Sequence, residues 1–296
     1  MLFAPNWFVE EYRSNVRHLF QSQGFKMKPT VTPEGRIDGK TAYWPYFGTF
    51  EMQEKSRGSE TPPANPEQDK LSANLKDYDA LYEIYEEDLT KMSASEKAAA
   101  QMAGGMAVGR KVDSIIMNAA NDAVVAAGNK TVGDGTGDWD LFQAEAVIEA
   151  LVDDDMVPSD GGITAVIPYR WFNIMMNYKE FNNSEWVGTD MSFPTGVRAK
   201  RWNGVNWVPF AKKELIIPSA NQAYGFIYHR MCLGYATNYE GKVNMQWDNR
   251  KGCWTTRLDL QATALALYPN AAGIRRLHFK TNTALQRPIV RTQTVA

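Results

Sequence analysis

The sequence predicts an α+β fold built around one very long helix, and three observations support this prediction. Ser93-Ala94-Ser95-Glu96 is a capping-box sequence, and the apolar face that follows it continues at helical spacing to about residue 127. Asn203-Gly204 lies between two aromatic stretches, as is typical of a two-residue β-hairpin. Apolar and polar residues alternate from Leu258 to Ala264, which is the pattern of a half-buried strand.

The long helix is expected to cover residues 94–127 without a break. It would be about 50 Å long at 1.5 Å per residue, whereas helices in globular proteins average about 11–12 residues. Gly104 and Gly105 lie inside it, and each costs about 1 kcal/mol relative to alanine. Tertiary packing must therefore hold this turn of the helix.

Shorter elements are expected downstream of the long helix. A second helix at residues 139–152 should end at or before the three aspartates Asp153 to Asp155, because negative charge at a helix C-terminus opposes the helix dipole. The other expected elements are a strand at 163–167 that stops at Pro168, a helix at 169–177, and strands of antiparallel type at 224–229 and 243–247.

Two upstream segments differ in character from the rest of the chain. Residues 6–23 have the periodicity of an amphipathic helix, whose apolar stripe includes Phe8 and Tyr12. Residues 36–75 are rich in proline and polar residues and poor in core-forming ones. We expect this second segment to form an extended two-stranded arm whose main contacts are intermolecular, through an aromatic cluster at Tyr43, Trp44, Tyr46, Phe47 and Phe50.

The composition is that of a globular protein and gives no support for a dedicated nucleic-acid-binding domain. The 296 residues are 44% hydrophobic and 22% charged, with a formal net charge of -2. This length allows one large or two moderate domains, and a nucleic-acid-binding domain would be clearly basic. We interpret the scattered basic pairs as solvated surface: Lys200-Arg201, Lys212-Lys213, Arg250-Lys251 and Arg275-Arg276.

Neither the cysteines nor the apolar runs indicate export or membrane insertion. Cys232 and Cys253 lack a C-x-x-C spacing, so we expect two small apolar core residues in a reducing compartment. The first residues lack the basic start and apolar stretch of a signal peptide. No run approaches the ~20 apolar residues that cross a bilayer. The sequence predicts a soluble protein that binds no membrane.

The sequence contains no convincing catalytic or metal-binding motif. The lysine-threonine pair at 130–131 lacks the preceding glycine of a phosphate loop, and it follows a helix instead of a strand. The glycine- and aspartate-rich loop at 133–138 lacks the closing carboxylate of an EF-hand. The histidines are far apart: His18, His229 and His278. We therefore expect no enzyme, no cofactor and no metal.

The segment from Asp79 to Ala120 resembles the spine region of tailed-bacteriophage major capsid proteins. It opens with an acidic, aromatic stretch that we interpret as a helix entry, and the long helix then contains Gly-Arg-x-x-Asp-x-x-Ile, a pattern that recurs in that family. The late segments 254–260 and 264–274 are also similar to the last strands of the family. The residues of the spine motif are Gly109, Arg110, Asp113 and Ile116. Taken alone, Arg110 and Asp113 would be a plain surface ion pair.

The resemblance implies the Hong Kong phage-type coat fold. Its parts would be an N-terminal arm (1–35), an extended loop (36–75), a peripheral domain with the spine helix (76–131) and an axial domain (132–233). Return strands of the peripheral domain (234–264), then the end of the axial domain with a C-terminal tail (265–296), would follow. The candidate subunit-interface residues are Tyr43, Trp44, Phe47, Phe50, Phe8 and Tyr12.

The resemblance also implies a structural function and a set of partners. Copies of the chain would form pentamers and hexamers that close into an icosahedral head around double-stranded DNA, contacted without sequence specificity. The protein would reside in the virion after assembly in the host cytoplasm, with a portal protein as a partner and a decoration protein as an optional one. Because few residues precede the first expected helix, curvature would be set by a separate scaffolding protein.

Two other classes of protein compete with this interpretation. An encapsulin-like nanocompartment shell has a similar fold but encloses cargo enzymes. A carbohydrate-binding or tail-associated module would explain the 9 tryptophans, yet it fits poorly with the long helix. The contents of purified particles distinguish the first alternative, and the oligomeric state distinguishes the second.

Overall fold

Three β-sheets and one long helix organise the chain in the computed structural model. The described residues are 24–33, 36–48, 52, 54, 57–58, 68–85, 94–137, 139–158, 160–178, 181 and 199–282. The expected helix at 6–23, with Phe8 and Tyr12, lies outside these residues, as does Phe50. The α+β class is confirmed, although the sheets are mixed, because three of the strand pairs are parallel.

The largest sheet has six strands. In spatial order they are β6 (Thr131–Val132), β13 (Ile274–Lys280), β10 (Gln222–His229), β7 (Ile163–Pro168), β9 (Val205–Phe210) and β8 (Lys200–Trp202). The hairpin between β8 and β9 is confirmed, since Asn203 and Gly204 have φ angles of 49° and 75°, the left-handed values that a type I′ turn requires. Every residue of the central strand β7 is buried, because both faces of this sheet are covered.

A second sheet has four strands: β1 (Thr32–Pro33), β11 (Leu233–Asp248), β12 (Cys253–Ala266) and β5 (Lys76–Tyr85). The interpretation of the acidic, aromatic stretch from Asp79 as a helix entry is wrong for residues 79–85, because they belong to strand β5, which pairs with β12 over ten residues. Its tyrosines and isoleucine favour an extended conformation, and cross-strand pairing on β12 outweighs any local helical preference.

The extended segment forms a three-stranded sheet of β2 (Arg36–Asp38), β3 (Thr41–Phe47) and β4 (Gln68–Asn74). The expected two-stranded arm is therefore wrong in its strand count. The segment also has a small core of its own, since Ala42, Trp44 and Leu75 are buried against Ala236 of β11. This core ties the base of the arm to the four-stranded sheet.

The long helix α1 spans Ala94–Ala126, which confirms the expected continuous helix through Gly104 and Gly105. A Cβ added at Gly104 would lie 2.6 Å from Cδ1 of Leu258, so this glycine lets β12 pack close to the helix. That contact is the tertiary packing that the glycine pair was expected to need. The capping contact of Ser93 lies outside the described residues.

The second half of α1 is buried between the two larger sheets. One hydrophobic core contains residues of α1, of the six-stranded sheet and of the four-stranded sheet. Its members on α1 recur at helical spacing: Val112, Ile115, Ile116, Met117, Ala120 and Val124. The helix is therefore the element on which both sheets are assembled.

A second core fills the other face of the six-stranded sheet. Helix α2 (Leu141–Glu149) and helix α3 (Tyr169–Met175) cover this face. The core is aromatic, with Trp171 stacked on Phe279 and Trp202 packed against Trp207. Most of the tryptophans that raised the possibility of a carbohydrate site are structural: Trp44, Trp139, Trp171, Trp202 and Trp207 are buried.

Helix α2 ends before the aspartates, as expected, but a π-helical turn follows it. Asp140 caps its N-terminus through a hydrogen bond from the Gln143 N–H, and the π-helical turn, Ala150–Asp154, continues past the last α-helical residue. The helical turns therefore end at the aspartates. Cations offset the unfavourable charge, because Lys130 and Arg275 both donate to the carboxylate of Asp155.

The polar face of β12 is also buried, contrary to the half-buried pattern expected from its alternation. Asp259, Gln261 and Thr263 are each at most 8% exposed. Their polar groups have partners from neighbouring strands: Asn244 donates to Asp259, and Gln261 donates to Asp77 of β5. Because β12 lies between β11 and β5, these side chains are shielded by both neighbouring strands, and the small core of the arm covers the end of this face at Ala236, opposite Thr263.

A buried polar junction joins the end of α1 to the six-stranded sheet. Arg276 of β13 donates to Thr131 Oγ1 at 3.0 Å, to Asn121 Oδ1 at 3.1 Å and to Asn129 Oδ1 at 3.3 Å. Its guanidinium lies 4.3 Å from the centroid of the Tyr224 ring. The interpretation of Arg275-Arg276 as solvated surface is wrong, since the two side chains belong to residues only 6% and 8% exposed.

The neighbouring Asp155 completes this junction. Burial raises the pKa of its carboxyl, but hydrogen bonds from the Gly273 N–H, Arg275 and Lys130 outweigh burial, so the pKa lies below the usual value. The carboxylate stays ionised at neutral pH and neutralises the buried arginine.

Replacing Arg276 by lysine should destabilise the chain by about 2–4 kcal/mol, because one ammonium cannot reach three acceptors and leaves buried polar groups unpaired. Chemical denaturation of the unassembled subunit measures this change. Arg250→Lys, in an exposed turn, is the matched control and should change stability by less than about 0.5 kcal/mol. Equal stability of the two variants would show that the hydrogen bonds of Arg276 do not stabilise the fold.

Candidate functional site

The residues that precede the three-stranded sheet cross α1 at Gly109. The Phe25 N–H donates to the Gly109 carbonyl at 3.3 Å. Gly24 has a φ of 72°, and a Cβ added there would lie 2.1 Å from the Gly109 carbonyl carbon. Only glycine at position 24 permits this contact between two backbones. We name residues 24–31 the arm root.

Asp113, one helical turn after Gly109, holds the arm root in place. Its carboxylate accepts hydrogen bonds from the Met27 N–H at 2.9 Å and from the Lys26 N–H at 3.2 Å. Asp113 is only 4% exposed, so the interpretation of a plain surface ion pair is wrong for this residue. Burial raises the pKa of Asp113 to about 6, although both backbone hydrogen bonds act in the opposite direction.

Further polar contacts extend the anchor beyond the helix. Lys26 forms an ion pair with Glu214 at 3.0 Å, and the Thr30 hydroxyl lies 2.6 Å from the Tyr228 hydroxyl at the centre of the core. The arm root is therefore attached to α1, to the turn before β10 and to β10 itself. A pocket of about 230 Å³ beside it is lined by Arg110, Asp113, Ser114, Met117, Asn118, Lys213, Glu214, Leu215 and Ile216.

The spine motif thus combines two structural functions. Gly109 and Asp113 bind the arm root, whereas Ile116 is fully buried in the core shared by the two sheets. Arg110 lines the pocket next to Asp113. The sequence located this motif but not the partner of Asp113, because a contact with residues 86 and 87 positions away leaves no local pattern.

Among the described residues, large apolar side chains are exposed together at one end of the four-stranded sheet. Trp247 and Trp254 face each other across β11 and β12, with ring centroids 5.3 Å apart. Both tryptophans are more than one third exposed, and Tyr82 of β5 projects from the same face of the sheet. We name this group the aromatic patch: Tyr82, Trp247 and Trp254. Leu81 and Tyr85 are also exposed, but they project from the opposite face.

The aromatic patch was not among the expected interface residues, although the sequence contains a signal for it. The segment Asp248-Asn-Arg-Lys-Gly-Cys253 forms the turn between two long strands and places the flanking tryptophans opposite each other. Large exposed apolar groups that lie together are uncommon on monomeric proteins and mark interaction surfaces. The patch is therefore the best candidate for a subunit contact.

The expected interface candidates on the arm lie in three different environments. Phe47 is 65% exposed at the end of β3, which makes it available to a neighbour. The Tyr43 ring is half-buried and stacks under the Lys70 ammonium at 5.0 Å. Trp44 is only 3% exposed and packs within the subunit, so its proposed place at an interface is corrected.

The described residues offer little for catalysis or metal binding. They contain no group of three or more His, Cys, Asp or Glu side chains with metal-binding geometry. Asp134 in the glycine-rich loop accepts hydrogen bonds from Thr136 and the Gly137 N–H, so its carboxylate stabilises the turn. Cys232 and Cys253 are buried free thiols, which confirms their expected place in the core. No helix in the described ranges is long and apolar enough to cross a membrane.

The sequence model of the phage capsid protein family matches residues 4–276. The chain therefore belongs to the phage capsid protein family. This match covers α1, the arm and the strands of all three sheets except the last residues of β13. No curated protein is significantly similar to the chain in sequence.

The fold is shared with solved phage capsid structures along nearly the whole chain. The cyanophage P-SCSP1u capsid is similar with a TM-score of 0.64 and 13% identity, over 92% of each chain. The Ralstonia phage GP4 capsid has a TM-score of 0.65 at 7% identity, covering 91% of this chain and 94% of the other. The mature capsid of bacteriophage PhiM1 has a TM-score of 0.59 at 14% identity, over 92% of each chain. These likenesses show the Hong Kong phage-type coat fold expected from the sequence.

Replacing Gly24 by alanine should detach the arm root, because the new methyl group would overlap the backbone of α1. Gly39→Ala is a matched control, since Gly39 has a similar φ of 59° but no atom within 4 Å of an added Cβ. In both variants the alanine is strained by about 1 kcal/mol, because its backbone has a left-handed conformation. Only in Gly24→Ala does the new methyl group also overlap the backbone of α1. Amide exchange of residues 25–31 in the unassembled subunit should accelerate only in Gly24→Ala. The same acceleration in both variants would show that the close contact between Gly24 and α1 does not hold the arm root in place.

The stability of the arm root should depend on pH through Asp113. Because its folded pKa, about 6, lies above the ordinary value, its stabilising contribution is complete at low pH and is lost as the pH rises through 6. Relative to Asp113→Asn, which cannot titrate, the natural chain should lose up to about 3 kcal/mol between pH 4 and pH 7. Urea denaturation of both unassembled proteins at several pH values measures the difference. A constant difference would show that Asp113 has an ordinary pKa.

Proposed function

We propose that this protein is the major shell subunit of a tailed bacteriophage. Its copies form pentamers and hexamers that close into an icosahedral head around double-stranded DNA. The observation that carries this proposal is the family match over residues 4–276, together with a fold shared over more than nine tenths of each compared capsid chain. The role is structural, and the protein acts by binding copies of itself.

The surface of the subunit supports a function based on self-association. The aromatic patch and Phe47 leave large apolar groups in water in the isolated chain, and burying them against neighbours would be favourable by about 25 cal/mol per Å². The anchored arm root gives the three-stranded sheet a fixed base, which would let it contact a neighbouring subunit in a defined direction.

The three sheets support the division into parts that the resemblance implied. The three-stranded sheet falls within the proposed extended loop (36–75), and the strands β5, β11 and β12 fall mainly within the proposed peripheral domain. The strands β7 to β10 fall within the proposed axial domain (132–233). In the proposed head, α1 is the element that both domains share.

The proposed partners are those that a closed shell of one subunit requires. A separate scaffolding protein biases one closure, because patches that form both pentamers and hexamers leave several closures close in energy. A portal protein occupies one vertex, and a decoration protein is an optional addition. Packaged DNA makes only non-specific contacts, as expected for a chain with a formal net charge of -2. Assembly takes place in the host cytoplasm, and the mature protein resides in the virion.

An encapsulin-like shell is the second candidate, since it too would use the same fold and self-association. The contents of the particle distinguish the two functions. A phage head contains DNA or is empty, whereas a nanocompartment contains a cargo protein. The tail-associated or carbohydrate-binding module is disfavoured, because five of the tryptophans are buried.

The proposal is tested by purifying the protein with and without its scaffolding protein and examining it by size exclusion and negative-stain electron microscopy. Icosahedral particles without protein cargo are expected, and a stable monomer under all conditions would refute the proposal.

Replacing both Trp247 and Trp254 by serine should reduce particle yield at least about tenfold, since loss of two buried aromatic contacts costs more than 1.4 kcal/mol. Ile217→Ser, which removes an exposed apolar group beside the six-stranded sheet, is the control.

A further inference from the structure

We propose that the outer edge of β5 binds a strand from a second copy of the chain, so that the four-stranded sheet continues from one subunit into the next. This inference rests on the proposed shell function and specifies how one of its contacts is made. The contact would use backbone hydrogen bonds together with side chains of the aromatic patch.

The first observation is that β5 has one unpaired edge. It is the outermost strand of the four-stranded sheet, and it pairs with β12 residue by residue from Lys76 with Ala262 to Tyr85 with Cys253. Within the described part of the chain, no strand pairs with its other edge. In an antiparallel ladder every second residue of an edge strand directs its N–H and C=O outward, so about five residues of β5 offer unused donors and acceptors.

The second observation is that the second half of this edge has little of the usual protection against strand addition. Natural edges are short, carry proline or charged side chains, or are interrupted by a bulge. Strand β5 has ten residues in unbroken register, about 33 Å in length, and contains no proline. Three of its four charged residues lie in its first four positions, and only Glu83 lies in residues 80–85. By contrast, β11 has register shifts between Thr237 and Lys242, and the edge strand β8 has only three residues.

The third observation concerns the side chains that flank the edge. Leu81 and Tyr82 are 58% and 49% exposed, and as consecutive strand residues they project from opposite faces of the sheet. A flat protein surface could cover only one face. An added strand places its own side chains beside both, which would bury the two apolar groups together. The exposed groups therefore fit a strand as the occupant.

The charges near the edge are compatible with a second copy as the source of that strand. Asp77 and Asp79 are exposed on β5, and a like charge directly opposite them would be unfavourable. The chain itself offers a suitable strand in β4, which is regular, is an outer strand of its sheet and carries the exposed Lys70. A shell also presents each subunit with many copies of the same chain at high local concentration.

A cross-linking experiment tests the contact directly. Ala80 is exposed on β5, and both natural cysteines are buried, so Ala80→Cys provides one accessible thiol for benzophenone maleimide. Labelled subunits made with ¹⁵N are mixed with unlabelled natural subunits, assembled and irradiated. We expect cross-linked peptides that join the ¹⁵N chain to an unlabelled chain in shells but not in unassembled protein. Shells that contain only intrachain products would overturn the inference and leave the proposed function intact.

The label itself could interfere with assembly, and a control at another site makes that result informative. Val125→Cys places the same label on α1, at a residue that is 49% exposed. If the label at position 80 prevents shells and the label at position 125 does not, the β5 edge is required, as proposed. If neither labelled protein nor the natural chain forms shells, the proposed function fails.

A second measurement does not depend on a label. Leu81→Lys adds to β5 the kind of charge that blocks strand addition, and it should lower shell yield at least about tenfold while the thermal unfolding of the subunit is unchanged. Val125→Lys should assemble normally. In natural shells, the outward amides of β5 should exchange roughly tenfold or more slowly than in the free subunit, because each gains a hydrogen bond. Equal exchange in both states, with shells present, would refute strand addition.

Discussion

The packing of the second half of α1 between two sheets is the constraint on which the rest of the structure depends. Each sheet would otherwise expose an apolar face, and the helix supplies one buried stripe that both sheets share. The arm root is attached to the same helix through Gly109 and Asp113, and the Arg276 junction fixes the end of the helix to β13. A displacement of α1 would therefore disturb both cores, the arm and the junction together.

This dependence explains why glycine occurs where other elements touch α1. Gly24 lets the backbone of the arm root touch the backbone of α1, and Gly104 leaves room for the Leu258 side chain of β12. A side chain at either position would push its neighbour away from α1. The glycines cost conformational entropy in the unfolded chain, and the contacts that they permit offset that cost.

The elements that could be predicted from the sequence are those specified by local patterns. The continuous helix α1, the Asn203-Gly204 hairpin and the strand at residues 163–168 follow from periodicity and turn chemistry. Strand β5 was misread because its acidic, aromatic residues are also compatible with a helix, and only its pairing with β12 decides between the two. A local pattern cannot supply a partner that is about 180 residues away.

The candidate site shows the same difference between features that a local sequence pattern predicts and features that depend on distant residues. The spine motif was found, since its residues are close together in sequence, but its function as an anchor depends on a distant segment. The burial of Arg275 and Arg276 gave no signal, because a basic pair has the same appearance whether it faces water or a buried carboxylate. The aromatic patch needed the register of three strands, which a list of tryptophans does not contain.

The uneven support along α1 has a mechanical consequence. Core residues occur from Val112 to Val124, whereas none of the described residues from Met102 to Val108 is buried. The helix is therefore clamped over its second half and supported more lightly over residues 102–108, where Gly104 still packs against Leu258 of β12. A helix bends most easily where its neighbours restrain it least. If copies of the chain occupy both fivefold and sixfold rings, as proposed, the elastic deformation that this requires would concentrate in residues 102–108 and leave the clamped half unchanged.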